Sequence, residues 1–223
     1  KTICSTGSPL SNDGFRYVYQ NIKKNVHLAS ISGGTDIVSC FVLGNLYQPV
    51  NMGEIQNKGL GLDVDIFDET GKSLKNKKGE LVCKNPFPSM PLKFWNDKQD
   101  KKFKEAYFNH FPNIWHHGDF AEIKKTRGFI IHGRSDTTLN PGGIRLGTAE
   151  IYSEVEKFRE IKESIVVGET GDNDVSIILF IVISSKHNFT ENLVHKIKSE
   201  IRKNVSPRHV PSKVIKVRDI PRT

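Results

Sequence analysis

One stretch constrains the chain more than any other: residues 133–151, GRSDTTLNPGGIRLGTAEI. Pro141 and the adjacent glycines 142 and 143 fall between Arg134 and Arg145, and a helix start follows at once. Pro lacks a backbone donor and Gly carries the largest conformational entropy, so such a run belongs inside neither a helix nor a strand. The apolar pattern also differs on its two sides. The chain is therefore expected to fold as two units that meet within this stretch. Its 223 residues, 36% hydrophobic and 26% charged, suffice for two cores.

Beyond the joint the periodicity is regular. Thr148 is read as the cap of a helix carrying Ile151, Val155 and Phe158, followed by strands over 165–168 and 175–183. Thr190 caps a second helix with Leu193, Ile197 and Ile201 at i, i+4 and i+8, and residues 214–217 close as a strand. Helix, strand, strand, helix, strand makes a small α+β unit. Before the joint the reading is mixed. A strand over 2–6 precedes a helix capped by Ser11 and running to about residue 24, with Phe15, Val18, Tyr19 and Ile22 on one face. A strand over 26–31 leads into an apparent turn, Ser32-Gly33-Gly34-Thr35-Asp36. Strands over 62–67 and 79–83 around a turn at 69–72, a helix over 98–110, and a hairpin of 119–123 with 128–132 complete a β-rich middle. The fold class expected is mixed α/β and α+β.

Charge and cysteine usage narrow the function classes. The net charge is +8, and from Lys186 onward ten basic residues face three acidic ones. Such a tail suits a phosphorylated partner or a solvated helix face. Phe189 is its one aromatic residue and no base-reading motif accompanies it, which argues against nucleic acid. Cys4, Cys40 and Cys83 lack metal-ligand spacing and sit in apolar contexts, so they are expected to be buried free thiols in a reducing cytoplasm. The longest apolar run, over 175–183, is too short to span a bilayer, and no leader is evident. No membrane insertion is expected. The chain begins with Lys1 instead of Met, read as processing, trimming or a fragment.

Four motifs in order carry a resemblance over essentially the whole chain: the loop Ser32-Gly33-Gly34-Thr35-Asp36-Ile37, the triad His117-Gly118-Asp119, the joint from Gly133 to Ile151, and Ser206-Pro207-Arg208-His209-Val210-Pro211. Together they resemble the C-terminal part of the adenylate-forming acyl-CoA synthetases. The resemblance implies the end of a large adenylation domain over 1–135 and a mobile C-terminal domain over 136–223. It implies ATP, Mg²⁺ and coenzyme A, an acyl-adenylate intermediate, and a domain rotation between two half-reactions about a hinge at Asp136.

Residue chemistry runs beside these roles. One carboxylate can accept a hydrogen bond from each of two vicinal hydroxyls, which suits Asp119 to a ribose; a surface hairpin Asp is the plainer reading. Arg134 would reach ribose or phosphate, and Arg145, behind two glycines, would grip phosphate oxygens in a fork; a structural salt bridge is the alternative for either. Thr35, with backbone amides after two glycines, would meet phosphate, and the Asp36 carboxylate would hold Mg²⁺; an ordinary Gly-Gly-Thr-Asp turn is the alternative. The family usually has Glu where Asp36 stands. The resemblance puts Gly33 and Gly34 at the acyl pocket, where acetyl-specific relatives place a tryptophan at the position of Gly33. Glycine there implies room for a longer acid such as acetoacetate. The resemblance puts Gly143 along the pantetheine of CoA and Arg202 at a CoA phosphate, against simple solvation of that Arg. His116, His117 and His209 lack a placeable nucleophile and orienting acid, so structural or surface roles are expected. The family's triphosphate loop is expected before Lys1 and its adenylation lysine after Thr223, so no catalytic residue is assigned here and this chain alone is expected to be inactive. A ligase for another acid and a basic, non-catalytic binding module are the other readings.

Overall fold

The computed structural model of the chain describes residues 1–141, 144–170 and 175–221. It divides into two compact units, Lys1–Ser135 and Asp136–Thr223. The first opens with β1 (Thr2–Ser5) paired in parallel with β2 (His27–Ser30). A parallel pair needs a crossover, supplied by α1 (Asn12–Tyr17), whose N-cap Ser11 accepts from the Gly14 amide at 3.2 Å. The helix does not run on as α to residue 24. It widens to a π-turn over Val18–Ile22, closed by the Lys23 amide on the Val18 carbonyl at 2.9 Å. The extra residue per turn rotates Ile22 off the apolar face, leaving it 58% exposed while Phe15 and Val18 stay buried.

A three-stranded antiparallel sheet follows: β3 (Ser32–Gly34), β4 (Ser39–Leu43) and β5 (Asn57–Lys58). The expected turn over 32–36 is thus a strand at its start, with the turn moved to residues 35–38. Gly33 shows why. A Cβ there would lie 2.1 Å from the Ser39 carbonyl oxygen, so glycine is what lets β4 approach. Its φ is not positive, so close approach sets the requirement and not a left-handed backbone.

The main sheet of this unit is antiparallel, in the order β6 (Val64–Phe67), β7 (Lys78–Cys83), β8 (Trp115–Ile123), β9 (Phe129–Arg134). Phe41, Ile66, Leu81, Trp115 and Ala121 lie in its core, and Phe103 joins them from α2 (Lys101–Tyr107). That helix is shorter than 98–110 because Gln99 and Asp100 take positive φ (60° and 56°). The Asp97 carboxylate then caps the new start, accepting from the amides of Lys102 and Phe103 at 3.0 and 2.8 Å.

In the second unit, β10 (Ile161–Thr170) pairs antiparallel with β11 (Val175–Ile183), which pairs in parallel with β12 (Lys213–Val217). The parallel step is made through α4 (Glu191–Asn204), and α3 (Thr148–Val155) lies beside it. Leu193, Ile197 and Ile201 of α4 pack with Ile151, Val155, Leu179 and Ile181 into one core. Central β11 reads as a near-continuous apolar run for that reason. Thr190 caps α4 by accepting from Leu193 N at 3.2 Å. Thr148 does not cap α3: Gly147 holds that position, and Thr148 is a buried first-turn residue. Phe158 lies past the helix end.

The architecture is the mixed α/β and α+β class expected. The thiols differ from expectation: Cys83 alone is buried, Cys40 is half-buried, and Cys4 faces outward on two-stranded β1–β2. No helix among the described residues is long and apolar enough to cross a membrane.

Candidate functional site

Asp119 lies on β8 with 5% of its surface exposed. Its Oδ2 accepts from Ser32 Oγ at 3.1 Å and its Oδ1 from Arg134 Nη1 at 3.2 Å. Arg134 Nη1 also donates to the His117 carbonyl at 3.0 Å. A bulge between β8 and β9 puts Arg134 opposite Asp119 in the ladder, and Gly133 takes φ +126° beside it. Gly118 has φ +78°, and a Cβ on it would come within 2.7 Å of the Arg134 guanidinium. The His-Gly-Asp triad therefore needs its glycine both for backbone conformation and for room.

His117 is buried against Phe41, ring centroids 4.7 Å apart, and its Nε2 donates to the Gly33 carbonyl at 3.2 Å. Burial lowers its pKa, outweighing the Asp119 carboxylate at 3.8 Å, so the ring is neutral with its proton on Nε2. A Cβ on Gly34 would meet this ring at 2.9 Å. The two glycines thus fit between a strand on one side and His117 on the other. Asp119, Arg134, Ser32 and Gly33 line one cavity of about 230 Å³ together with residues 6–9. A larger one, about 550 Å³ between Cys83, Met90, Phe103 and Trp115, holds none of the candidate ligand-binding residues named from the sequence.

Thr35 and Asp36 lie in the exposed turn that follows β3 and do not line the Asp119 cavity. The Tyr107 hydroxyl donates to Asp36 Oδ2. Tyr107 stacks on Trp115 at 3.7 Å and 15°, with Phe94 and Phe103 edge-on, so its ring is fixed. Burial first, then the Asp36 carboxylate, raises the tyrosine pKa and keeps the donor protonated. Among the described residues no group of three or more His, Cys, Asp and Glu could hold a metal ion. The exposed Asp36 carboxylate offers a single hard oxygen donor, the ligand type that Mg²⁺ takes while keeping several waters.

Asp136, Arg145 and Arg202 belong to the second unit. Asp136 is exposed in a 3-10 turn over Ser135–Thr137. Arg145 is half-buried and its Nε donates to Thr138 Oγ1 at 2.9 Å. Arg202 is exposed in the last turn of α4. Gly143 lies outside the described residues. His209 is buried, bonded to Ser206 Oγ and Glu150 Oε2 at 2.8 and 3.3 Å. Sequence reasoning missed Ser32 and Tyr107, which reach their carboxylates across 87 and 71 residues.

No protein-family model matches the chain. Sequence comparison aligns all of it with the acetoacetyl-coenzyme A synthetase of Rhizobium meliloti at 56% identity over 223 residues, and with that of Gallus gallus at 47% over 224. The solved acetoacetyl-CoA synthetase of Streptomyces lividans superposes on the whole chain with a TM-score of 0.91 at 41% identity. The likeness is to the acetoacetyl-CoA synthetases. The chain spans about a third, 34%, of each of these three proteins. The adenylate-forming resemblance drawn from four motifs thus extends over every residue of the chain.

Proposed function

We propose that this chain is part of an acid–CoA ligase that activates acetoacetate with Mg-ATP and passes the acyl group to coenzyme A, releasing pyrophosphate and then AMP. The single observation that carries the reading is the Asp119 carboxylate: buried at a cavity wall, with one donor already on each oxygen, it keeps lone pairs for the two hydroxyls of a ribose. The names of the relatives support acetoacetate as the acid.

In the first half-reaction the acid's carboxylate attacks the α-phosphorus and pyrophosphate leaves. Asp119 orients the ribose, and Arg134, fixed on Asp119, offers its remaining guanidinium donors to ribose or phosphate. The Thr35 hydroxyl and neighbouring amides meet phosphate oxygens. Asp36 would hold Mg²⁺, which supplies charge neutralisation at the phosphates when bound. Gly33 and Gly34 border the acid, and neutral His117 packs behind them without exchanging a proton. In the second half-reaction the CoA thiolate attacks the acyl carbonyl and AMP leaves. Arg145 binds phosphate oxygens, Arg202 meets a CoA phosphate, and the chain turns at Asp136 between the two steps.

The test uses the full ligase polypeptide with Mg-ATP, acetoacetate and CoA, quantifying nucleotide and thioester by chromatography. One AMP per acetoacetyl-CoA is expected. Thioester formed with ADP, or none formed, would overturn the proposal.

A further inference from the structure

Glu80 lies on β7 with 2% of its surface exposed. A carboxylate inside a sheet is costly unless donors meet it. Two donors meet the same oxygen: His116 Nε2 at 2.7 Å and the hydroxyl of Ser135. The His116 ring is itself held by stacking on His110, centroids 4.9 Å apart. Ser135 is the last residue of the first unit, and the reaction above gives neither it nor Glu80 a task. The residue before it is held as well, since Arg134 is bonded to Asp119 and to the His117 carbonyl. Arg134, the last residue of β9, and Ser135 just after it are thus tied to two buried carboxylates, one on β8 and one on β7. The next residue, Asp136, is exposed and opens the second unit. Shifting Ser135 or Arg134 would strip a donor from a buried charge, whereas turning the chain at Asp136 strips none of these bonds.

We infer that Glu80 is a positioning residue for the joint: through Ser135 it anchors the end of the first unit, so that backbone rotation starts at Asp136 and not before. The inference rests on the ligase reading, in which rotation separates the half-reactions. Its first test does not need activity. In the full polypeptide, Ser135→Ala should speed amide hydrogen exchange over residues 134–137 by at least about tenfold with the β6–β7 amides unchanged, and Ser135→Thr should restore protection. Unchanged exchange over 134–137 in Ser135→Ala would overturn the anchor.

The second readout is the ratio of pyrophosphate-exchange rate to single-turnover thioester transfer. Ser135→Ala and Glu80→Met should each shift that ratio at least about fivefold, and the double variant no further than the larger single, because the Ser135–Glu80 hydrogen bond is absent from all three. A lower melting temperature with an unchanged ratio would reduce Glu80 to packing and also overturn the inference. A parent polypeptide without ligase activity would sink the function instead, leaving hydrogen exchange to decide the anchor.

Discussion

Two aspartates of the first unit make opposite use of their surroundings. Asp119 is buried, and both oxygens are held by donors from other strands, Ser32 and Arg134. Asp36 is exposed in a turn, and one oxygen takes a hydroxyl from Tyr107. A carboxylate that must present fixed lone pairs to a sugar gains from a rigid, water-poor setting, where its orientation is set before the ligand arrives. One that must join a hydrated cation gains from access to water, with a single neutral donor to set its angle. The contrast predicts that damage at Asp119 is uniform in metal concentration, and damage at Asp36 is not.

Asp119→Ala in the full polypeptide tests the rigid side and carries the largest effect. On the proposed ribose role, Asp119 would make two charge-assisted hydrogen bonds worth about 1.5–3 kcal/mol each, so kcat/KM for ATP should fall by about a hundredfold or more at every Mg²⁺ concentration. Steady-state kinetics over a Mg²⁺ series would check this, with circular dichroism for the fold. Unchanged ATP kinetics in a folded variant would make Asp119 structural.

Asp36→Ala comes next, with a loss of about tenfold at low Mg²⁺ that shrinks as Mg²⁺ is raised, since one oxygen ligand among several is replaceable by water. A loss independent of Mg²⁺ would erase the distinction between the two carboxylates. Tyr107→Phe should be smallest. It removes one donor, a net contribution of about 1 kcal/mol, so the Mg²⁺ concentration for half-maximal rate should rise about threefold to fivefold while metal-free nucleotide affinity stays put. Calorimetric titration of nucleotide without Mg²⁺ separates the two quantities.

How far the sequence reached depends on whether the deciding contact was local. In the second unit, Leu193, Ile197 and Ile201 lie on one helical face, Thr190 caps it, and the apolar run of β11 announces a central strand. Short-range period and capping suffice there. In the first unit, Ser32-Gly33-Gly34 carries every mark of a turn, and only the approach of β4 to Gly33 makes it a strand. That same approach gives the glycine a reason apart from the acid. A side chain at Gly33 would strike Ser39, so its bulk cannot be varied without moving β4. Ser32 and Tyr107 reach Asp119 and Asp36 from 87 and 71 residues away, and no local pattern points to them. The Asp119–Arg134 pairing depends on a bulge in β8–β9, a backbone irregularity that residue types do not announce.

The central claim is that this chain serves acetoacetate activation, and pyrophosphate exchange by the full polypeptide across a panel of acids tests it most directly. Acetate, acetoacetate, butyrate and hexanoate would each be assayed with Mg-ATP and labelled pyrophosphate, with Asp119→Ala as the control. The account predicts that acetoacetate supports exchange with a kcat/KM at least about tenfold above the other acids, and that Asp119→Ala removes it. Equal exchange with every acid, preference for another acid, or exchange undiminished in Asp119→Ala would contradict it.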